Sequence, residues 1–118
     1  MYHAPLKDMR FVLHEVLGDE ALAQWYADVD YSGELADSVL EEAARFGEQV
    51  LEPINKSGDR EGARWTPEGV QVPAGFAEAY QAYTEGGWTQ LSVPVADGGQ
   101  GMPQLINSAA EEVFFATN

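Results

Sequence analysis

Apolar residues recur at helical spacing in successive stretches of this 118-residue chain, and glycine or proline interrupts each stretch. A half-buried strand alternates with a period of two, so the pattern points away from a sheet protein. Met9, Val12, Leu13, Val16 and Leu17 form one stripe of a first helix from about Asp8 to Leu17, with Asp8 as N-cap and Gly18 just past its end. A short second helix, Glu20 to Tyr26, takes Asp19 as cap and Leu22, Trp25 and Tyr26 as its buried side. Ser32 caps a longer third helix to about Leu51, with Leu35, Val39, Ala43, Phe46 and Val50 inward; Pro53 restricts Glu52 and ends it. Residues 55–72 are polar and turn-rich, which predicts an extended surface loop with a tight turn near Pro67–Gly69. Pro73 opens a fourth helix over about 73–84, with Phe76, Tyr80 and Tyr83 on one face and Gly86-Gly87 as its stop. Leu91 to Val95 is a short apolar stretch, and Asp97 to Gly101 is a flexible turn. Pro103 opens a last helix with the stripe Ile106, Ala109, Ala110, Val113, Phe114 and Thr117. The fold class is all-α, a bundle of about five helices with a long loop between the third and fourth.

The length is that of one domain, and folding removes roughly two-thirds of the accessible surface of a chain this size. The charge is strongly acidic: 20 Asp and Glu against 6 Lys and Arg, a net of −14. Counterion release on nucleic acid needs cations, so a nucleic-acid partner is excluded, and an anionic membrane surface is disfavoured. From Trp65 to Asn118 there is no Lys or Arg, so any phosphate-rich ligand of that half takes its basic contacts from elsewhere. With no cysteine, disulfides, thiolate nucleophiles and Cys-type metal sites are excluded. No apolar run approaches the roughly 20 residues of a membrane span, and the N-terminus lacks the pattern of a signal peptide.

Motifs for self-contained chemistry are incomplete. The stretch Leu91 to Pro103 has Gly99 and Gly101 at the first spacing of a dinucleotide loop, but Gln104 stands where the third glycine belongs. Asp28, Asp30 and Ser32 with Gly33 begin like a calcium loop, but Val39 replaces the bidentate Glu at position twelve. An Asx-type turn with a Ser32 cap explains the same residues. His3 and His14 lie eleven apart, too far for a helical ligand pair, and read as surface or packing residues. Glu41–Glu42 and Glu111–Glu112 read as solvated faces, because adjacent helix positions diverge. Trp25, Trp65 and Trp88 read as core or interface anchors. The last helix carries no glycine cap, basic last turn or proline stop, which leads to the expectation that the chain is the first part of a longer protein.

Taken in order, several segments resemble one family. Tyr2 to Leu17 resembles the N-terminal extension of large bacterial acyl-CoA dehydrogenases, the long branch that includes the 3-methylmercaptopropionyl-CoA dehydrogenases. Val50 to Gly62 is similar to the family's connection after its first long helix. Gly75–Tyr80, Gly86–Trp88 and Pro94–Pro103 resemble the next helix and its glycine turn, and Ala109–Phe115 the start of the following helix. The resemblance implies an extension of two short helices over 1–31 and the family's N-terminal helical domain over 32–118, truncated at its C-terminal end.

It further implies a parent flavoprotein with FAD, a cytoplasmic oxidoreductase of fatty acid metabolism that removes the α and β hydrogens of an acyl-CoA thioester. In that chemistry a carboxylate takes the α proton and flavin N5 the β hydride. None of the family's catalytic or cofactor-binding positions maps onto these residues, so this piece is expected to bind no flavin or metal and to be inactive alone. What it is expected to supply is one wall of the acyl pocket, with Phe115 and Asn118 nearest. The implied partners are acyl-CoA, the remaining enzyme domains, an acceptor such as electron-transfer flavoprotein, and further copies in a homo-oligomer. The alternative is a free-standing acidic helical interaction module without catalysis. A wall predicts an uncovered apolar face; a module predicts a finished last helix and a sealed surface.

Overall fold

The computed structural model describes all 118 residues and is predominantly helical. Helix α1 (Leu6–Arg10) continues as a π-helical stretch over Phe11–Gly18, and α2 (Asp19–Trp25) follows directly. Helix α3 (Gly33–Phe46), a π-turn over Gly47–Leu51 and α4 (Glu52–Glu61) make one unbroken rod. Strands β1 (Arg64–Thr66) and β2 (Gly69–Gln71) form a small antiparallel hairpin, with Trp65 opposite Val70. Helix α5 (Phe76–Glu85), two single 3-10 turns at Trp88–Gln90 and Val95–Asp97, and α6 (Gln104–Thr117) complete the chain.

The all-α expectation holds, with corrections to individual elements. The third helix does not stop at Pro53; the rod runs ten residues beyond Leu51, to Glu61. Pro53 falls in the first turn of α4, and the wider π-turn before it shifts the hydrogen-bond register away from the proline ring. The loop expected over 55–72 is therefore helical to Glu61 and then a hairpin, whose turn does lie at Pro67–Glu68. Helix α1 starts at Leu6 without an Asp8 cap, and its π-helical stretch rotates the stripe: Met9 and Leu13 are buried, while Val12 and Val16 face out. Asp19 does not cap α2, and Trp25 is 66% exposed. The Ser32 cap is present, its Oγ accepting from the Leu35 amide at 3.1 Å. Helix α5 begins at Phe76 rather than Pro73 and does end at Gly86-Gly87. The short apolar stretch from Leu91 to Val95 runs through turns and a bend into the 3-10 turn that begins at Val95.

The core lies between the rod and α6. Leu40 and Ala36 meet Ile106 and Val113, and Met9, Leu13 and Leu22 close the cluster from the N-terminal helices. A second cluster joins Ala43, Ala110 and Phe114 to Trp88 and Leu91. Within it Phe114 sets its edge against Trp88 at 5.0 Å and Tyr83 at 5.5 Å, and each such pair contributes about 0.5–1.5 kcal/mol beyond burial. Gly47 lets α6 approach the rod, since a Cβ there would stand 2.8 Å from Val113 Cγ1. The sequence stripe of α6 is matched at five positions, Ile106, Ala110, Val113, Phe114 and Thr117, which are all buried, while Ala109 is half-buried.

The result is thin. Its extents are 54 × 35 × 15 Å and its radius of gyration is 16.5 Å, against about 13.5 Å for a compact chain of this length.

Candidate apolar binding cleft

The last turns of α6 are fastened to the rod by two asparagines. Asn55 Nδ2 donates to the Thr117 carbonyl at 2.8 Å, and Asn118 Nδ2 donates to the Leu51 carbonyl at 3.1 Å. Thr117 is buried, and its hydroxyl lies 2.9 Å from both the Val113 and Phe114 carbonyls. The end of α6 is thus held rigidly, and with it the side chains that follow the buried stripe by one position.

Those side chains edge a cleft of about 270 Å³ between α5, α6 and the π-turn of the rod. Phe114, Tyr83 and Ala79 make its floor, and Leu51 and Phe76 contribute apolar wall. Phe115, 79% exposed, and Tyr80, 68% exposed, stand on the rim with Asn118. The sequence-named pair, Phe115 and Asn118, therefore edges one cleft. The single carboxylate there is Glu111, which accepts from Asn107 Nδ2 at 3.0 Å. Burial, then the neighbouring Glu111 and Tyr80, pushes the Tyr83 hydroxyl above its ordinary range. The cleft can thus hold an apolar chain against a half-buried, protonated phenol. A larger groove, about 410 Å³, lies on another flank of α6, where Leu105 and Ala109 face Met9, Val12 and Leu13 of the N-terminal segment.

The cleft's lining does not fit a flavin dinucleotide. It contains no Lys or Arg, and Glu111 would repel a pyrophosphate. Of the six cations, Arg10 pairs with Asp37 and Glu41, Arg45 pairs with Glu42, and Lys7, Lys56, Arg60 and Arg64 sit exposed outside the cleft. The glycine turn spends its polar groups on itself. The Gly101 amide donates to the Val93 carbonyl at 2.9 Å, and Gln100 Nε2 donates to the Gly87 carbonyl at 2.8 Å. Gly98 and Gly101 supply the positive φ angles, 86° and 67°, that the turn requires. No group of three or more His, Asp or Glu side chains is arranged to hold a metal ion. No helix is long and apolar enough to cross a membrane.

A second polar constellation escaped the sequence reasoning. His14 places Nδ1 at 2.7 Å from Asp19 Oδ1 and Nε2 at 2.8 Å from Asp37 Oδ1. Tyr31 donates to Asp19 Oδ1 at 3.1 Å, and Arg10 Nε donates to Asp37 Oδ1 at 3.1 Å. Hydrogen bonds to Asp19 and then Asp37 raise the His14 pKa. Burial pushes Asp37 upward, but its bonds from His14 and Arg10 outweigh that and hold it below the usual carboxylate range. Burial and the bond to Asp19 push the Tyr31 hydroxyl up to about 12. Only the i, i+5 spacing of His14 and Asp19 hinted at this in sequence; the Asp37 contact depends on the tertiary fold.

No protein-family model matches the chain. Two curated relatives match nearly all of it. It is 33% identical over 120 residues to 3-methylmercaptopropionyl-CoA dehydrogenase of Ruegeria pomeroyi, a match covering 95% of this chain and 19% of that protein. It is 31% identical over 121 residues to the broad-specificity linear acyl-CoA dehydrogenase FadE5 of Mycobacterium tuberculosis, covering 99% of this chain and 20% of that protein. The chain therefore spans about a fifth of the length of these relatives. With a helical fold and two dehydrogenases aligned along almost its full length, the chain is similar to acyl-CoA dehydrogenases, over a stretch that matches an N-terminal helical domain of that family.

Proposed function

We propose that this chain serves an FAD-dependent acyl-CoA dehydrogenase as one wall of its acyl pocket, and that it does no chemistry alone. The observation that carries the proposal is the rigidly seated end of α6, which turns an apolar cleft outward with Phe115 and Tyr80 on its rim. An acyl chain is the matching ligand class, since an apolar cleft with few polar groups binds through burial. Phe115 would pack against the methylenes, Asn118 would close one end of the cleft, and the phenol of Tyr83 would stay neutral beside them. FAD held by the parent enzyme's other domains would supply the hydride-accepting chemistry; this chain's share is to orient the acyl chain and exclude water. The CoA phosphates and the flavin pyrophosphate fall to other domains, because the cleft lining has no cation to offer. The working enzyme is a cytoplasmic homo-oligomer that passes electrons to an acceptor such as electron-transfer flavoprotein.

Thinness supports the same view. A plate 15 Å thick, in which 19 of 118 residues are buried, has the form of one layer in a larger body. The test compares the purified 118-residue chain with the intact gene product that contains it, each given acyl-CoA thioesters and an artificial electron acceptor. Reduction by the intact product, with none by the 118-residue chain, is the expected result. Reduction by the 118-residue chain itself, or by neither preparation, overturns the proposal.

A further inference from the structure

The constellation around His14 joins three elements at one imidazole. His14 belongs to the π-helical end of α1, Asp19 opens α2, and Asp37 lies on α3. Gly18, with a φ of 87°, makes the bend that brings Asp19 back toward His14. Gly33, at the start of α3, leaves room for the Asp19 carboxylate; a Cβ there would stand 2.6 Å from Asp19 Oδ2. The His14 side chain is 20% exposed, so water does not compete freely for its nitrogens.

A neutral imidazole has one N–H and one lone pair. Here both ring nitrogens face carboxylate oxygens within hydrogen-bond distance. With a neutral ring, one of the two contacts would set a lone pair against a carboxylate. Both are bonds only when the ring carries two protons. The groups around the ring are Asp19 and Tyr31 on one side, and Asp37, Arg10 and Glu41 on the other. With the imidazolium they balance better: two cations against three carboxylates. Loss of its proton leaves one cation for three.

We propose that His14 is the pin of a charge latch that clasps the N-terminal segment, residues 2–31, onto α3 at neutral pH and slackens when the imidazolium loses its proton. Met9, Leu13 and Leu22 form the apolar part of the same contact and do not titrate, so the latch tunes local opening rather than global folding. The inference does not depend on the acyl-pocket proposal, since the chain by itself suffices to test it.

The experiment is long-range proton–nitrogen NMR of the labelled 118-residue chain over a pH series from about 5 to about 9, with a His3→Gln chain to assign the two rings. The expected spectrum has both His14 nitrogens protonated at about pH 7. As that proton is lost, exchange protection of residues 2–26, corrected for intrinsic rates, falls about tenfold for each unit by which the His14 pKa is raised, while α6 amides hold. A His14→Gln chain shows no such step. A neutral-tautomer spectrum at about pH 7, or the same step in His14→Gln, overturns the latch. The spectrum of the unaltered chain decides the question even if His14→Gln does not fold.

Discussion

Gly47 shows how one residue can set the spacing of two helices. It lies in the π-turn with α6 directly above, Val113 Cγ1 and both Thr117 γ atoms being the nearest heavy atoms to a hypothetical Cβ. Both of those residues are buried and β-branched, so neither can swing aside. In an exposed helix Gly→Ala is a gain of about 1 kcal/mol, whereas here overpacking outweighs that gain. Gly47→Ala is expected to destabilise the chain by about 1–3 kcal/mol in urea unfolding. Gly58→Ala is expected to cost less, because the Phe76 ring it meets is only partly buried and can rotate. The His14 cluster gives stability a pH dependence of defined sign. The raised His14 pKa contributes stability that is full below the unfolded value of about 6.5 and is lost as pH rises through the folded one. The lowered Asp37 pKa contributes stability present above the unfolded value of about 3.9 and lost as pH falls through the folded one. Exchange protection of residues 2–26 should therefore peak between those limits, and Asp37→Asn should flatten both flanks. Little of this was legible beforehand. Asp19 reads as a cap because capping is a local rule, and it was diverted by His14 and Tyr31, partners that only the folded chain brings near.

At the scale of elements, the π-turn of the rod is a register device. One residue corresponds to about 100° of helix rotation, so the wide turn sets which face α4 presents to α5 and α6. Deleting Gln49, which is exposed, should swing Asn55 off the Thr117 carbonyl and Gly58 out from under Phe76. A loss of about 2–4 kcal/mol in unfolding free energy is expected for the deletion. Gln49→Ala should change stability by less than about 0.5 kcal/mol. Helices with one dominant stripe and local start signals, α6 above all, were legible from sequence because period and boundary agreed there. The rod's continuation was not, because a proline is a stop only when the turn before it is a regular α-turn. The stripe of α1 misled for the same reason: a π-helical stretch does not keep a 3.6-residue period, and Val12 and Val16 rotate outward.

At the scale of the molecule, the plate presents more apolar surface than its thickness can bury. Phe11, Val16, Trp25, Trp65, Tyr80 and Phe115 are all exposed. A net charge of −14 keeps copies apart in dilute buffer, and salt shortens the range of that repulsion. Sedimentation of the purified chain should show concentration-dependent association that strengthens between about 0.01 and 1 M salt. A monomer at every salt concentration would count against an uncovered face. The family resemblance and the helical class could be read from sequence, because they rest on ordered motifs and one strong stripe. The cleft's depth could not, since it depends on α5 crossing the rod through Phe76 and Gly58.

The most direct test of the acyl wall is the chain-length profile of the intact gene product, native against Phe115→Ala, using acyl-CoA thioesters of increasing length. Phe115 is exposed, so the substitution should leave folding intact. If Phe115 packs along the acyl chain, KM should rise about tenfold for thioesters long enough to reach it and stay unchanged for the shortest, a difference of about 1.4 kcal/mol in binding. An identical profile for the two proteins, with acyl-CoA turnover intact, would contradict the account.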